Sequence, residues 1–200
     1  MRENVKLGSW NGQSLEWLVV DGDDTSITLW CKQTVARMPF HKNFCEYYSE
    51  SIIRPFLEGE FYENAFSTEE KAKILETAVD CSEKQTYYGT VSTGSLRYRC
   101  DPITAKVYLP SVREIMKTYA LTNEEIYRAD TERFWTRSPN GRQSVSLINC
   151  SKEILNGKSP YTYDTECYNP IRDDFVTLTT PYFADTNKEH SIIPVIRIKR

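Results

Sequence analysis

Two runs of aliphatic, β-branched and aromatic residues, Leu15–Val20 and Ser26–Cys31, flank the polar stretch Asp21-Gly22-Asp23-Asp24. Turn residues that tolerate positive φ between runs that suit a half-buried pleat predict a hairpin. From Ser51 the apolar spacing becomes helical: Ile52, Ile53, Phe56 and Leu57 follow a capping serine, Pro55 falls near the start, and Gly59 is expected to stop the helix. Ser67-Thr68-Glu69-Glu70 has the Ser-x-x-Glu form of a capping box and predicts a second helix to about Thr77, with Ala72, Ile74, Leu75 and Val79 as its apolar stripe. Residues 80–102 read as a surface hairpin spaced by Gly89 and Gly94. A short strand at Val107–Leu109 then precedes two further capping boxes, Ser111 to Glu114 and Thr122 to Glu125. From Arg133 onward strands and loops are expected: Phe134–Arg137, Ser144–Ile148 and the closing run SIIPVIRIKR. Between the last two lies Cys150 to Glu189, long, aromatic and broken by Pro160, Pro170 and Pro181. A connection of that length with so little regularity is uncommon unless it does something. A hairpin, then helices, then a β-rich half makes an α+β fold, read as one domain over 1–200 with a loop-rich insert at 150–190.

Composition narrows the function classes more than it names one. The chain of 200 residues is 40% hydrophobic and 26% charged, which suits a globular domain that needs no metal or disulfide to hold a core. Its net charge is −3, and neither half is strongly basic, so no nucleic-acid partner and no anionic membrane surface is expected. The short basic spots at Arg97/Arg99 and Arg197/Lys199/Arg200 read as solvated strand edges. No stretch approaches the ~18 apolar residues of a membrane span, and the N-terminal residues are polar. Cys31, Cys45, Cys81, Cys100, Cys150 and Cys167 are widely and irregularly spaced with no C-x-x-C, so they read as reduced thiols in a cytoplasmic protein.

Four stretches in order carry a family pattern: the hairpin around Trp17 to Leu29; SIIRPFLEGEFYENAFSTEEKAKI from Ser51 to Ile74, including Phe61 and Phe66; KVYLPSVRE at Lys106–Glu114; and FWTRSP at Phe134–Pro139. Together they resemble a bacterial family of domains of unknown function, common in Gram-positive gut bacteria and their mobile elements. That family is marked by a Ser-x-Leu-Arg-x-Trp-Leu-Asn helix, a Phe-Leu-Leu-Ser strand, a Trp-Trp-Leu-Arg-Ser-Pro motif and a closing Val-Arg-Pro. Here Phe56-Leu57-Glu58 replaces Trp-Leu-Asn, Thr136 replaces the motif's Leu, and Ile193 stands where the closing arginine is usual. The family in turn resembles the C-type-lectin-like fold used by formylglycine-generating enzymes and by the variable proteins of diversity-generating retroelements. The resemblance implies terminal strands that come together, two helices and a long loop region within a second sheet; it implies no activity.

The segment RFWTRSPNGR, Arg133 to Arg142, looks chemical: three arginines and two large aromatics in ten residues. Because Trp135, Arg137, Ser138 and Pro139 sit on the family motif, the expectation is a buried strand whose Arg137 pairs with a carboxylate and fixes a sheet junction. His41 and His190 are isolated in sequence, and no zinc-protease, nucleophile-elbow, phosphate-loop or dinucleotide motif occurs, so neither a catalytic residue nor a metal or other cofactor is assigned. The acidic turn lacks the 12-residue spacing of a calcium loop. What remains is recognition. Tyr161, Tyr163, Asp164, Tyr168, Arg172, Asp174 and Tyr182 interleave aromatic and charged groups in the insert. Tyrosine-rich loops on a rigid scaffold make recognition surfaces because tyrosine offers contact area at low entropic cost. The leading reading is therefore a non-catalytic module that binds a protein or small ligand through 150–190. An assembly subunit of a phage or mobile element, an oligomer included, and an enzyme of unknown chemistry are the alternatives.

Overall fold

The computed structural model describes residues 4–41, 47–81, 102–111, 114–115, 134–139, 145–148, 165–169, 174–178 and 189–200. The chain opens with β1 (Asn4–Trp10) and β2 (Gln13–Gly22), joined at Asn11-Gly12. Both turn residues have positive φ, 50° and 77°, the two-residue geometry that follows the twist of an antiparallel pair. This first hairpin was missed in the polar N-terminal segment, although Asn-Gly before an alternating run signals one. The expected second hairpin is present, with β2 running on to Gly22 and β3 spanning Ser26–Cys31. Asp23 builds its turn: one carboxylate oxygen accepts the Thr25 and Ser26 N–H groups, each at 2.9 Å, and the Thr25 hydroxyl at 2.7 Å.

The last strand, β13 (Val195–Lys199), lies between β3 and β7 (Val107–Tyr108), which closes a five-stranded sheet in the order β1-β2-β3-β13-β7. Arg197 and Lys199 therefore sit on an inner strand, and the edge-strand reading of that basic spot is corrected. SIIPVIRIKR is likewise two strands rather than one. β12 (Glu189–Ile192) belongs to a four-stranded sheet, β4-β12-β8-β9, with β4 at Ala36–Pro39, β8 at Phe134–Pro139 and β9 at Val145–Ile148. Pro194, which has no N–H to give a ladder, marks the change of sheet. At that crossing the Pro194 carbonyl accepts Cys31 N–H, and the Ile192 carbonyl accepts Val35 N–H. The second sheet is mixed, because β12 meets β8 in parallel register at Ser191 and Phe134.

Two helical expectations need correction. The helix does not stop at Gly59. It runs from α1 (Ile53–Pro55) through a π-helical stretch (Phe56–Phe61) into α2 (Tyr62–Ala65). Phe56 and Phe61, five residues apart, both set their rings against Trp10, at 6.1 and 5.1 Å; a π-turn brings that spacing toward one face, where an α-turn would separate it. Burial of Leu57 and Phe61 carries the chain past the glycine. The second helix, α3 (Thr68–Lys71), has the full Ser67/Glu70 capping box but ends after one turn. There the last strand captures the chain: Leu75 N–H donates to the Arg197 carbonyl, and Lys199 N–H to that of Lys73. β5 (Thr77–Val79) follows and pairs with β6 (Ile103–Ala105).

The core is continuous between the sheets and the helix. Trp17 is fully buried, donates its indole N–H to the Leu7 carbonyl at 2.7 Å, and packs on Phe66, which meets Phe61 edge-on at 5.8 Å. Trp30 faces Phe134 at 5.8 Å, joining the first sheet to the second. Within the insert, β10 (Thr165–Asn169) and β11 (Asp174–Leu178) form a regular antiparallel hairpin where an irregular loop was expected. The expected hairpin at 80–102, but for its two ends, and the capping box from Thr122 to Glu125 lie outside the described residues.

Candidate functional site

A cleft of about 260 Å³ opens on one face of the five-stranded sheet. Strand period builds its floor. β3 pairs with β13 so that Trp30 stands opposite Val195 and Thr28 opposite Arg197, while Tyr108 of β7 stands opposite Val195 on the other side. Side chains alternate between faces, so these five share one face, and Leu29 and Ile196 point to the buried other. An irregularity between Val19 and Asp21 of β2 brings Val20 and Asp21 to the same cleft. The facing wall comes from Thr77, Ala78, Val79 and Asp80, from Pro110, Glu114 and Ile115, and from Arg137.

Arg137 holds that wall together. Its side chain is 3% exposed, and three chain segments supply its partners. Nε donates to the Asp80 carbonyl at 2.9 Å, Nη1 to the Leu109 carbonyl at 2.8 Å, and Nη1 and Nη2 to the two carboxylate oxygens of Glu114 at 2.6 and 2.7 Å. The Arg137 backbone N–H adds a bond to the Pro110 carbonyl. Glu114 is positioned by the local turn. Its carboxylate accepts Ser111 N–H and its own N–H returns to the Ser111 hydroxyl, so the capping box that starts the helical turn also aims the acid at the arginine. Burial works against the Arg137 charge. The bidentate carboxylate more than offsets it, and the guanidinium is held above its ordinary value.

The remaining groups fall into place around this pair. The Tyr108 ring lies 5.5 Å below the Arg137 guanidinium, and burial first, then Glu114, pushes its hydroxyl well above the ordinary range. Across the cleft, Arg197 donates to the Ser26 hydroxyl at 2.9 Å and to the Asp23 carboxylate at 2.5 Å. Hydrogen bonds from the Thr25 hydroxyl and N–H, assisted by those from Ser26, hold Asp23 well below the ordinary carboxylate range. Cys81, just beyond the wall, is fully buried, and its thiol is pushed up to about 11 by burial. Such a thiol is a poor nucleophile.

The motif residues are buried together: Trp135 donates its indole N–H to the Met38 carbonyl at 2.9 Å and meets Phe40 and His190 by ring contact, while Thr136 and Ser138 are fully buried. Pro139 ends β8 opposite Val145. Of the insert residues, Tyr168 pairs with Phe175 and Asp174 with Asn169 in the β10–β11 ladder. Tyr161, Tyr163, Asp164, Arg172 and Tyr182 lie outside the described residues. Sequence reasoning missed Asp21, Trp30, Asp80 and Tyr108 as members of a site. The alternation of Thr28 and Trp30, and of Val195 and Arg197, was its available signal, but which strands neighbour each other is a tertiary fact. Among the described residues no three His, Cys, Asp or Glu side chains converge as metal ligands, and no helix is long and apolar enough to cross a membrane. A family model described as Domain of unknown function (DUF6273) matches residues 26–172. No curated protein and no solved structure matches the chain.

Proposed function

The chain belongs to the DUF6273 family, and from that premise we propose that it is a non-catalytic binding module on a C-type-lectin-like scaffold, recognising a protein or small ligand through residues 150–190. The observation that carries the reading is the way this segment is anchored. It leaves from β9 and returns through β12, two strands of one sheet, and β12 is clamped between β4 and β8 with Ser191 and Ile192 buried. A segment tethered at both ends to a packed sheet loses less entropy on binding than a free one. The first strand, β1, and the last, β13, share one sheet, which supports the lectin-like arrangement. Cys81, a buried free thiol, accords with a cytoplasmic setting.

The test replaces Tyr161, Tyr163, Tyr168 and Tyr182 together by Ala. Wild type and variant are immobilised, exposed to lysate of the native cells, and their bound molecules identified by mass spectrometry. The reading predicts a partner held by wild type and lost by a variant whose melting temperature is unchanged. An identical set of bound molecules on both proteins contradicts it.

A further inference from the structure

We propose that the Glu114–Arg137 pair is a brace that sets where the two roots of the 150–190 segment stand relative to each other. Arg137 is then a positioning residue, acting through β8 and touching no ligand. The consequence for recognition rests on the reading of 150–190 given above; the positioning itself does not.

The two roots flank one residue. Phe134 of β8 stands opposite Ile148 of β9, where the segment leaves, and opposite Ser191 of β12, where it returns. With neighbouring strands ~4.8 Å apart, the roots lie about 10 Å from each other across β8. They are not held alike. β12 runs through Pro194 into β13, and the Ile192 and Pro194 carbonyls accept Val35 and Cys31 N–H, so the return root is tied directly to the first sheet. β9 lies at the edge of its sheet with β8 as its ladder partner, so the departure root goes where β8 goes.

The position of β8 along its own axis is set three residues beyond Phe134. From Trp135 to Pro139 β8 takes four steps while β9 takes two, from Leu147 to Val145. Such a bulge turns backbone groups off the ladder and re-aims a side chain. Arg137 N–H leaves for the Pro110 carbonyl at 3.0 Å, and Ser138 N–H meets the Thr136 hydroxyl at 3.3 Å. The Arg137 side chain is carried out of the sheet to the Asp80 and Leu109 carbonyls, and Glu114 closes its fork. Other ties of β8 leave this coordinate loose. Phe134 on Trp30 is a ring contact, which holds a distance between sheets with little direction. Trp135 donates to Met38 of β4, a strand of the same sheet. The charged, bidentate fork is directional, and it ties β8 to chain outside that sheet.

The experiment is amide NMR of the full chain carrying Glu114→Gln, which keeps the shape of the acid and removes its charge. Signal positions report the folded state, so a loss of global stability does not by itself move them. The amide signals of Val145–Ile148 should move by more than their line widths, while those of Ser191, Ile192 and the β2–β3 hairpin stay in place. Should Glu114→Gln fail to fold, Ser111→Ala removes the hydroxyl that aims Glu114 and keeps both charges; it should move the same β9 signals by less. Signals of β9 that stay in place while those of Asp80, Leu109 and Glu114 move would reduce the pair to a local bond and overturn the proposal. So would equal movement across β9, β12 and the hairpin. No partner takes part, so this result and the lysate result above can each fail without the other.

Discussion

At Gly8 the backbone adopts φ +75° in the bulge of β1, and a Cβ there would lie 2.6 Å from the Ala65 carbonyl oxygen and 2.8 Å from the Phe66 ring. Both demands select glycine: a left-handed backbone and a contact with main chain that cannot swing away. Gly8→Ala should cost on the order of 2–5 kcal/mol, from about 1–2 for the backbone and about 1–3 for overpacking. Gly12 shares the positive φ but has open space around it, so Gly12→Ala should carry only the backbone part. Urea unfolding of the two variants checks the difference, and equal losses would contradict it. Neither distinction can be seen in the sequence, where both are glycines near the N-terminus. The Arg137 expectation was of another kind: an arginine inside an apolar strand motif must find a carboxylate, and that requirement is visible without coordinates. Which carboxylate it finds is not, because Glu114 lies 23 residues away and is aimed by a turn.

Elements were legible where the signal is local. The capping boxes at Ser67 and Ser111 are readable because both partners lie within four residues. Their lengths were not, since α3 is cut short by a strand more than a hundred residues later in the chain, and the π-stretch depends on Trp10. α3 carries a second, tertiary role. Glu70 accepts Ser67 N–H at 2.8 Å to close its cap and Gly8 N–H at 2.7 Å to tie the helix to β1. Partial burial opposes the charge, but these bonds prevail and lower its pKa below the ordinary 4.5. A carboxylate lowered on folding stabilises the native state above pH ~4.5 and loses that contribution as pH falls through its folded value. Glu70→Gln should therefore be less stable than wild type at pH 7, and the gap should shrink as pH is lowered below 4. Stability curves that stay parallel from pH 7 to pH 3 would exclude this role.

For the whole molecule, the α+β class and the general positions of several strands followed from pattern, while the sheet order did not. Nothing local says that the last strand sits beside the third, or that Pro194 passes the chain from one sheet to the other. The cleft exists only because of that order, so its residues were invisible until the strands were placed. The same order explains why RFWTRSPNGR looks chemical. Its Trp135 and Arg137 join distant parts of the chain, and Arg137 alone links β8 to the turns after β5 and β7 and to the helical start at Glu114. The pair is asymmetric: the arginine side chain is 3% exposed and the glutamate 40%. Removing the acid strands a buried cation, whereas removing both charges leaves only unsatisfied carbonyls. A double-mutant cycle in urea on Glu114→Ala, Arg137→Met and their combination measures this directly. The account predicts that Glu114→Ala loses about 3–5 kcal/mol and that adding Arg137→Met restores part of the loss. Single variants that each stay within about 0.5 kcal/mol of wild type, the range of ordinary surface changes, would contradict the structural role of the pair.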